Sequence, residues 1–137
     1  LAAMADVEIV RQRGHLFDEG ITTPVIVEDV FESLSTTAEV YEALDMIGVS
    51  ADLGRAKDGR KIRPGRGKMR SRRHKGKRSV LLVVSALEAP LFKGAGNLPG
   101  VEIVSADGLN TGRLAPGGMP GRLAVFSESA LKMIGEW

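Results

Sequence analysis

Cysteine is absent from this 137-residue sequence. That excludes disulfides and thiolate chemistry, and it fits a reducing, cytosolic setting. Aromatic residues make up only 4%, and none occurs between residues 42 and 91. A platform for stacking unpaired bases is therefore not expected there. The longest apolar run, Val80 to Val84, is far short of the ~20 residues a bilayer-spanning helix needs. No basic start followed by a long apolar run marks a signal peptide. The opening LAAMA has no initiator Met at position 1 and reads as the end of a helix, so a fragment of a longer chain is expected.

Motifs for chemistry are also scarce. Gly65 and Gly67 do not complete a dinucleotide fingerprint, because Arg70 stands at its last position. They form no phosphate loop either, since Ile62 takes the place of the first glycine and Met69 follows Lys68. His15 and His74 lie far apart, and His15 with Asp18 gives only two candidate ligands, so no metal site is expected. Ser127 and Ser129 flank a glutamate, but no nucleophile elbow surrounds them, and a Ser that opens a helix is a cap. Glu39, Glu42 and Asp45 read as a solvated helix face. No cofactor, small-molecule substrate or catalytic group is expected.

What the sequence has in excess is positive charge in one place. Of 19 Lys and Arg and 17 Asp and Glu, residues 55–78 hold 13 bases and the single acid Asp58. That stretch carries +12, the remainder carries −10, and the average of +2 conceals a cationic insert in an acidic body. Its densest part is RPGRGKMRSRRHKGKR, residues 63–78. Charges this close repel within a Debye length of ~8 Å. The scattered acids would relieve little of this, at most ~1 kcal/mol per exposed pair. A polyanion relieves far more, since ~6 phosphate contacts change affinity by ~10³ between 50 and 200 mM salt. Gly65, Gly67 and Gly76 let backbone approach phosphates closely. Without aromatics, folded nucleic acid read by backbone and shape is the expected partner. The alternatives are a nuclear-localisation stretch, a solvated loop, which does not account for the glycines, and membrane contact, which lacks an adjoining apolar face.

The rest reads as alternating strands and helices. Strands are expected at Val7–Val10, Pro24–Val30, Ser79–Ser85, Val101–Val104 and Arg122–Phe126, the third covered on both faces. A helix is expected from a capping box at Thr36 and Glu39 to Gly48, with Val40, Tyr41, Leu44 and Ile47 on one face. A last helix is capped by Ser127 and carries Ala130, Leu131, Ile134 and Trp137. KDGR at 57–60 suggests a short hairpin before the glycine-rich part. The expected architecture is a three-layer α/β/α domain over residues 1–137. It has a parallel or mixed sheet of about four to five strands and a basic glycine-rich arm at about 55–78.

IRPGRGKMRSRRHK, NLPGVEIVSADGLNTGRLAPGG, GRLAVFSESAL and RGHLFDEGITTPVIVED together resemble, in order and over nearly the whole chain, the universal ribosomal protein four family of the large subunit in its archaeal and eukaryotic form. Two positions depart from the family: Gly96, where Arg is frequent, and Met119, where His is common. The resemblance implies a non-catalytic, cytoplasmic ribosome component that binds large-subunit ribosomal RNA beside other ribosomal proteins. It also implies that the family's N-terminal part and tunnel loop lie outside this sequence. The family's basic motif carries over to Arg63, Arg66, Lys68, Arg70, Arg72, Arg73, Lys75, Lys77 and Arg78. Gly65 and Gly67 carry over as close-approach positions and Arg122 as a secondary RNA candidate, while His74, read from its place inside the cationic run, is expected to contact phosphate or solvent. LAPGG is expected to fix the backbone before the last strand. Two other readings stand beside this one: a nucleotide-dependent α/β enzyme with a basic substrate loop, and a protein-interaction module using the acidic body.

Overall fold

The computed structural model describes residues 1–136. Its centre is β4, Leu81–Val84, in which every residue is buried. Strand β4 pairs in parallel with β5, Glu102–Ser105, on one side and β6, Ala124–Ser127, on the other. Strand β1, Val25–Val27, adds to the far edge of β6, giving the order β1-β6-β4-β5. The period of two divides these strands between two cores. Val80, Leu82, Val84, Leu123 and Val125 point to one face. There they meet Val10 of α1 (Val7–Gln12), Val40 and Leu44 of α2 (Thr37–Met46), Leu53 of α3 (Ser50–Asp58), and Leu91 and Ala95 of α4 (Leu91–Ala95). Leu81, Val83, Ala124 and Phe126 point to the other face. They pack on Met4, on Ala130 of α6 (Glu128–Gly135) and on Leu114 of α5 (Thr111–Leu114). This is the three-layer arrangement expected, and burial on both faces explains why β4 reads as an unbroken apolar run.

The local signals for α2 hold. Thr36 Oγ1 accepts from the Glu39 amide and Glu39 Oε2 accepts from the Thr36 amide, both at 3.3 Å. Val40 and Leu44 are fully buried, whereas Tyr41 is 47% exposed and Ile47 lies just past the helix. Ser127 Oγ accepts from the Ala130 amide at 3.2 Å, the expected cap of α6; Trp137 of the expected stripe lies outside the described residues. The same hydroxyl also donates to Glu32. Ser127→Ala therefore removes a cap and a bond to a carboxylate. It should lower unfolding free energy by about 2 kcal/mol in urea titration and leave RNA affinity unchanged. A loss below about 0.5 kcal/mol would show the hydroxyl to be dispensable.

Three sequence expectations are corrected. VEIV at Val7–Val10 is helical, because Asp6 accepts from the Glu8 and Ile9 amides and caps α1. The basic stretch does not begin as an arm at residue 55, since Arg55 to Asp58 complete α3, with Ala56 buried beneath them. The hairpin does not precede the glycine-rich part but encloses it. Strand β2, Lys61–Ile62, pairs antiparallel with β3, His74–Lys75, across the intervening residues.

Candidate nucleic-acid interface

Between Ile62 and Val80 the only large apolar side chain is Met69, so this stretch has nothing with which to form a core. It lies accordingly outside the body: Ile62 is 54% exposed and Met69 80%. Gly65, at φ +78°, turns the chain into a 3₁₀ turn at Arg66–Met69. The Arg63 amide donates to the Arg73 carbonyl at 2.8 Å, continuing the β2–β3 pairing by one rung. Arg63 is half-buried, its Nε donating to the Arg72 carbonyl at 3.3 Å. Arg66, Lys68, Arg70, Arg72, Arg73, His74, Lys75, Lys77 and Arg78 are all exposed. Gly65 is exposed and Gly67 half-buried. Lys61 stands directly opposite Lys75 in the register, and like charges so placed destabilise a two-stranded pair. Of the predicted contact residues in the hairpin, Arg78 alone forms an ion pair with the body among the described residues, to Glu102.

The root of the hairpin is tied to the body through a buried carboxylate. Asp52, on the inner face of α3 and fully buried, accepts from His15 Nδ1 at 3.0 Å, the Leu16 amide at 3.0 Å and Ser79 Oγ at 2.6 Å. Arg55 donates to it as a fork, Nε at 2.7 Å and Nη2 at 3.2 Å. Burial pushes the Asp52 carboxyl upward. The hydrogen bonds from His15, Arg55 and Ser79 overcome that and hold it well below the usual carboxylate range. An ionised carboxylate only accepts, so His15 Nδ1 carries the hydrogen. Arg55 Nη2 also donates to the Arg78 carbonyl at 2.9 Å, which joins this knot to the last residue of the basic stretch.

Arg122 departs from its expected role. It is completely buried, so its guanidinium is not presented to a phosphate at the surface. Nε donates to the Ser79 carbonyl at 3.2 Å, and Nη1 donates to Glu102 and, at 2.8 Å, to the Arg113 carbonyl. Burial pulls the Arg122 guanidinium below its ordinary value, against the opposing pull of Glu102. Burial pushes Glu102 up, but Arg122, Arg78 and Arg113 bring it below the usual range. The LAPGG turn is pinned too, Arg13 Nη2 donating to the Pro116 carbonyl at 2.8 Å and Nη1 to that of Pro120 at 3.0 Å.

A family model described as the ribosomal protein L4/L1 family matches residues 9–137, which include the hairpin, its root and all four strands of the main sheet. The chain belongs to the ribosomal protein L4/L1 family. It is 47% identical over 137 residues to the large ribosomal subunit protein uL4 of Archaeoglobus fulgidus, covering 100% of this chain and 53% of that protein. The uL4 of Methanoregula boonei is 49% identical over 131 residues, covering 96% of this chain and 51% of its own. That of Saccharolobus solfataricus is 43% identical over 136 residues, 99% and 51% respectively. The chain spans about half the length of these curated relatives.

In this L4/L1-family chain the carboxyl ends of β4 and β6 are bridged by a side chain. Open α/β sheets bind small ligands beyond the carboxyl ends of their strands. Here Glu32 fills that position, accepting from the Ser85 amide at 2.8 Å, from Ser85 Oγ at 2.7 Å and from Ser127 Oγ. The serine singled out as a conceivable nucleophile is thus a cap held by a carboxylate. Among the described residues no group of three or more His, Asp or Glu is arranged to hold a metal ion, and no helix is long and apolar enough to cross a membrane. Sequence reasoning missed Asp52, Arg55, His15 and Arg13 at the root. The available signal was a helical spacing of Val49, Leu53 and Ala56 running into the basic stretch.

Proposed function

We propose that this chain is part of a non-catalytic structural component of the large ribosomal subunit, held there by the hairpin at residues 60–78 bound to large-subunit ribosomal RNA. It works in the cytoplasm on the ribosome, with its acidic body against solvent or neighbouring ribosomal proteins, and it needs no cofactor and turns over no small molecule. The observation that supports this most is the hairpin itself: eight of its Lys and Arg between residues 63 and 78 are exposed, and among the described residues only Arg78 of these meets an acid of the body. Such a segment is stabilised by an external polyanion with release of counterions. Its glycines and lack of aromatics suit contact with the backbone of folded RNA rather than base stacking. The enzyme alternative loses support because Glu32 occupies the usual ligand position. Ultraviolet crosslinking in cell extract, followed by identification of RNA and peptide, should recover large-subunit ribosomal RNA on peptides from 63–78. Crosslinks confined to other RNAs, or to peptides of the acidic body, would overturn the proposal.

A further inference from the structure

A cleft of about 650 Å³ opens where the hairpin leaves the body. Arg13 and His15 line it from the loop after α1, Arg55 from α3, Lys75 from β3, and Lys77 and Arg78 from the segment that follows β3. Among the described residues no carboxylate lines it. The two acids nearest by bonding are already engaged: Asp52 with His15, Arg55 and Ser79, and Glu102 with Arg78, Arg113 and Arg122. The cleft therefore keeps a surplus of positive charge that the protein itself does not neutralise. The two arginines that the body contributes, Arg13 and Arg55, also differ in kind from the cations of the hairpin. Arg55 is clamped by Asp52 and Arg13 by two backbone carbonyls, so their guanidiniums are oriented before any partner arrives. The hairpin side chains must instead surrender up to ~2 kcal/mol of rotamer freedom each. Burial, and then the nearness of Arg55, bring the Arg13 guanidinium below its ordinary value, as expected where cations crowd without an acid.

We propose that this cleft is a second RNA site, in which a short phosphodiester segment of folded RNA is held between Arg13 and Arg55 on the body and Lys75 and Lys77 on the hairpin. This rests on the reading of the chain as an RNA-binding ribosomal protein and adds residues outside the basic motif. The volume suits a segment of dinucleotide size, since pockets of ~300–1,000 Å³ hold small-molecule ligands. Gly14 and Gly76 line its wall with open space where a side chain would begin, so a phosphate can approach the wall closely there, although the Gly14 amide itself is already given to the Arg11 carbonyl at 2.8 Å. The division of labour is physical. Mobile charges on the hairpin supply sequence-independent affinity, and fixed guanidiniums in the cleft fix register and orientation.

The test places a carboxylate at the mouth without removing a fold contact. Met119 lines the cleft and is 65% exposed; Met46, 84% exposed on α2, serves as control. Met119→Glu should weaken binding of a large-subunit ribosomal RNA fragment about tenfold relative to Met46→Glu, as a like-charge contact with phosphate requires. In ¹⁵N NMR on the 137-residue chain, pyrophosphate should produce saturable shifts at the Gly14 and Gly76 amides, lost in Met119→Glu and kept in Met46→Glu. Equal RNA affinity of the two glutamate variants, or pyrophosphate shifts confined to Arg66–Arg73, would overturn the cleft as a site. If the hairpin variant described below still lost binding, the hairpin reading would survive that failure. If no variant lost binding, both would fall.

Discussion

Replacing Arg66, Lys68, Arg70, Arg72 and Arg73 together by Gln is expected to weaken RNA binding roughly a thousandfold, and to make the slope of log affinity against log salt shallower by about four units. The size follows from five phosphate contacts at ~0.7 to 0.9 each. All five side chains are exposed, and among the described residues none donates a hydrogen bond to the body. Folded stability should therefore stay the same or rise slightly as self-repulsion falls. Filter binding across a salt series, with a urea titration beside it, reads both quantities. An unchanged salt slope would mean that these side chains face solvent in the complex, and the hairpin would lose its role. Gly65→Val separates geometry from charge. At φ +78° a β-branched residue is strained, so binding to the proper RNA should fall while the salt slope stays. Gly67→Val should do less, because an added Cβ meets the flexible Arg63 side chain, nearest at Cδ, 2.9 Å away.

Asp52→Ala should cost about 3 kcal/mol of folding free energy at neutral pH, since it strands the partly buried Arg55 guanidinium and the buried donors of His15 and Ser79. Against a typical total of ~5–15 kcal/mol this is a large loss, readable as a shift of the urea midpoint. A cost below about 1 kcal/mol would show that water replaces the carboxylate. The pH dependence follows from the direction of the shift. The Asp52 carboxyl is depressed in the folded chain. Its contribution is thus complete above the ordinary carboxylate range near pH ~4 and is lost as pH falls below it. The gap between wild type and variant should therefore be constant from pH 5 to 7 and narrow in acid. Glu102, depressed in the same sense, remains in both proteins and gives both an acid-sensitive component.

The sheet was legible from the sequence because its strands are apolar and bounded by turn residues. What was not legible depended on partners far along the chain. The tetrapeptide VEIV shows the limit: the copy at Val7–Val10 is helix and that at Val101–Val104 leads into β5. Composition cannot separate them; the Asp6 cap before one and the pairing of the other with β4 can. The exposed basic residues were found because their density is local. Arg122 was misplaced because an arginine beside a buried strand looks like any other until Glu102, 20 positions away, is seen to accept from it. The Asp52 knot was invisible for the same reason, as it joins residues 37 and 27 positions apart.

The hairpin leaves and re-enters the body at neighbouring points, Lys61 lying opposite Lys75. A segment closed at its base in this way is a detachable cassette. Its length enters the folding balance only through loop closure, where doubling the number of residues costs about 0.6 kcal/mol. The eleven residues 63–73 are thus open to lengthening, shortening or exchange with little consequence for the sheet. Descent can remodel what this protein grips without renegotiating how it folds, whereas the root, bound to Asp52 and Glu102, holds far less of that freedom.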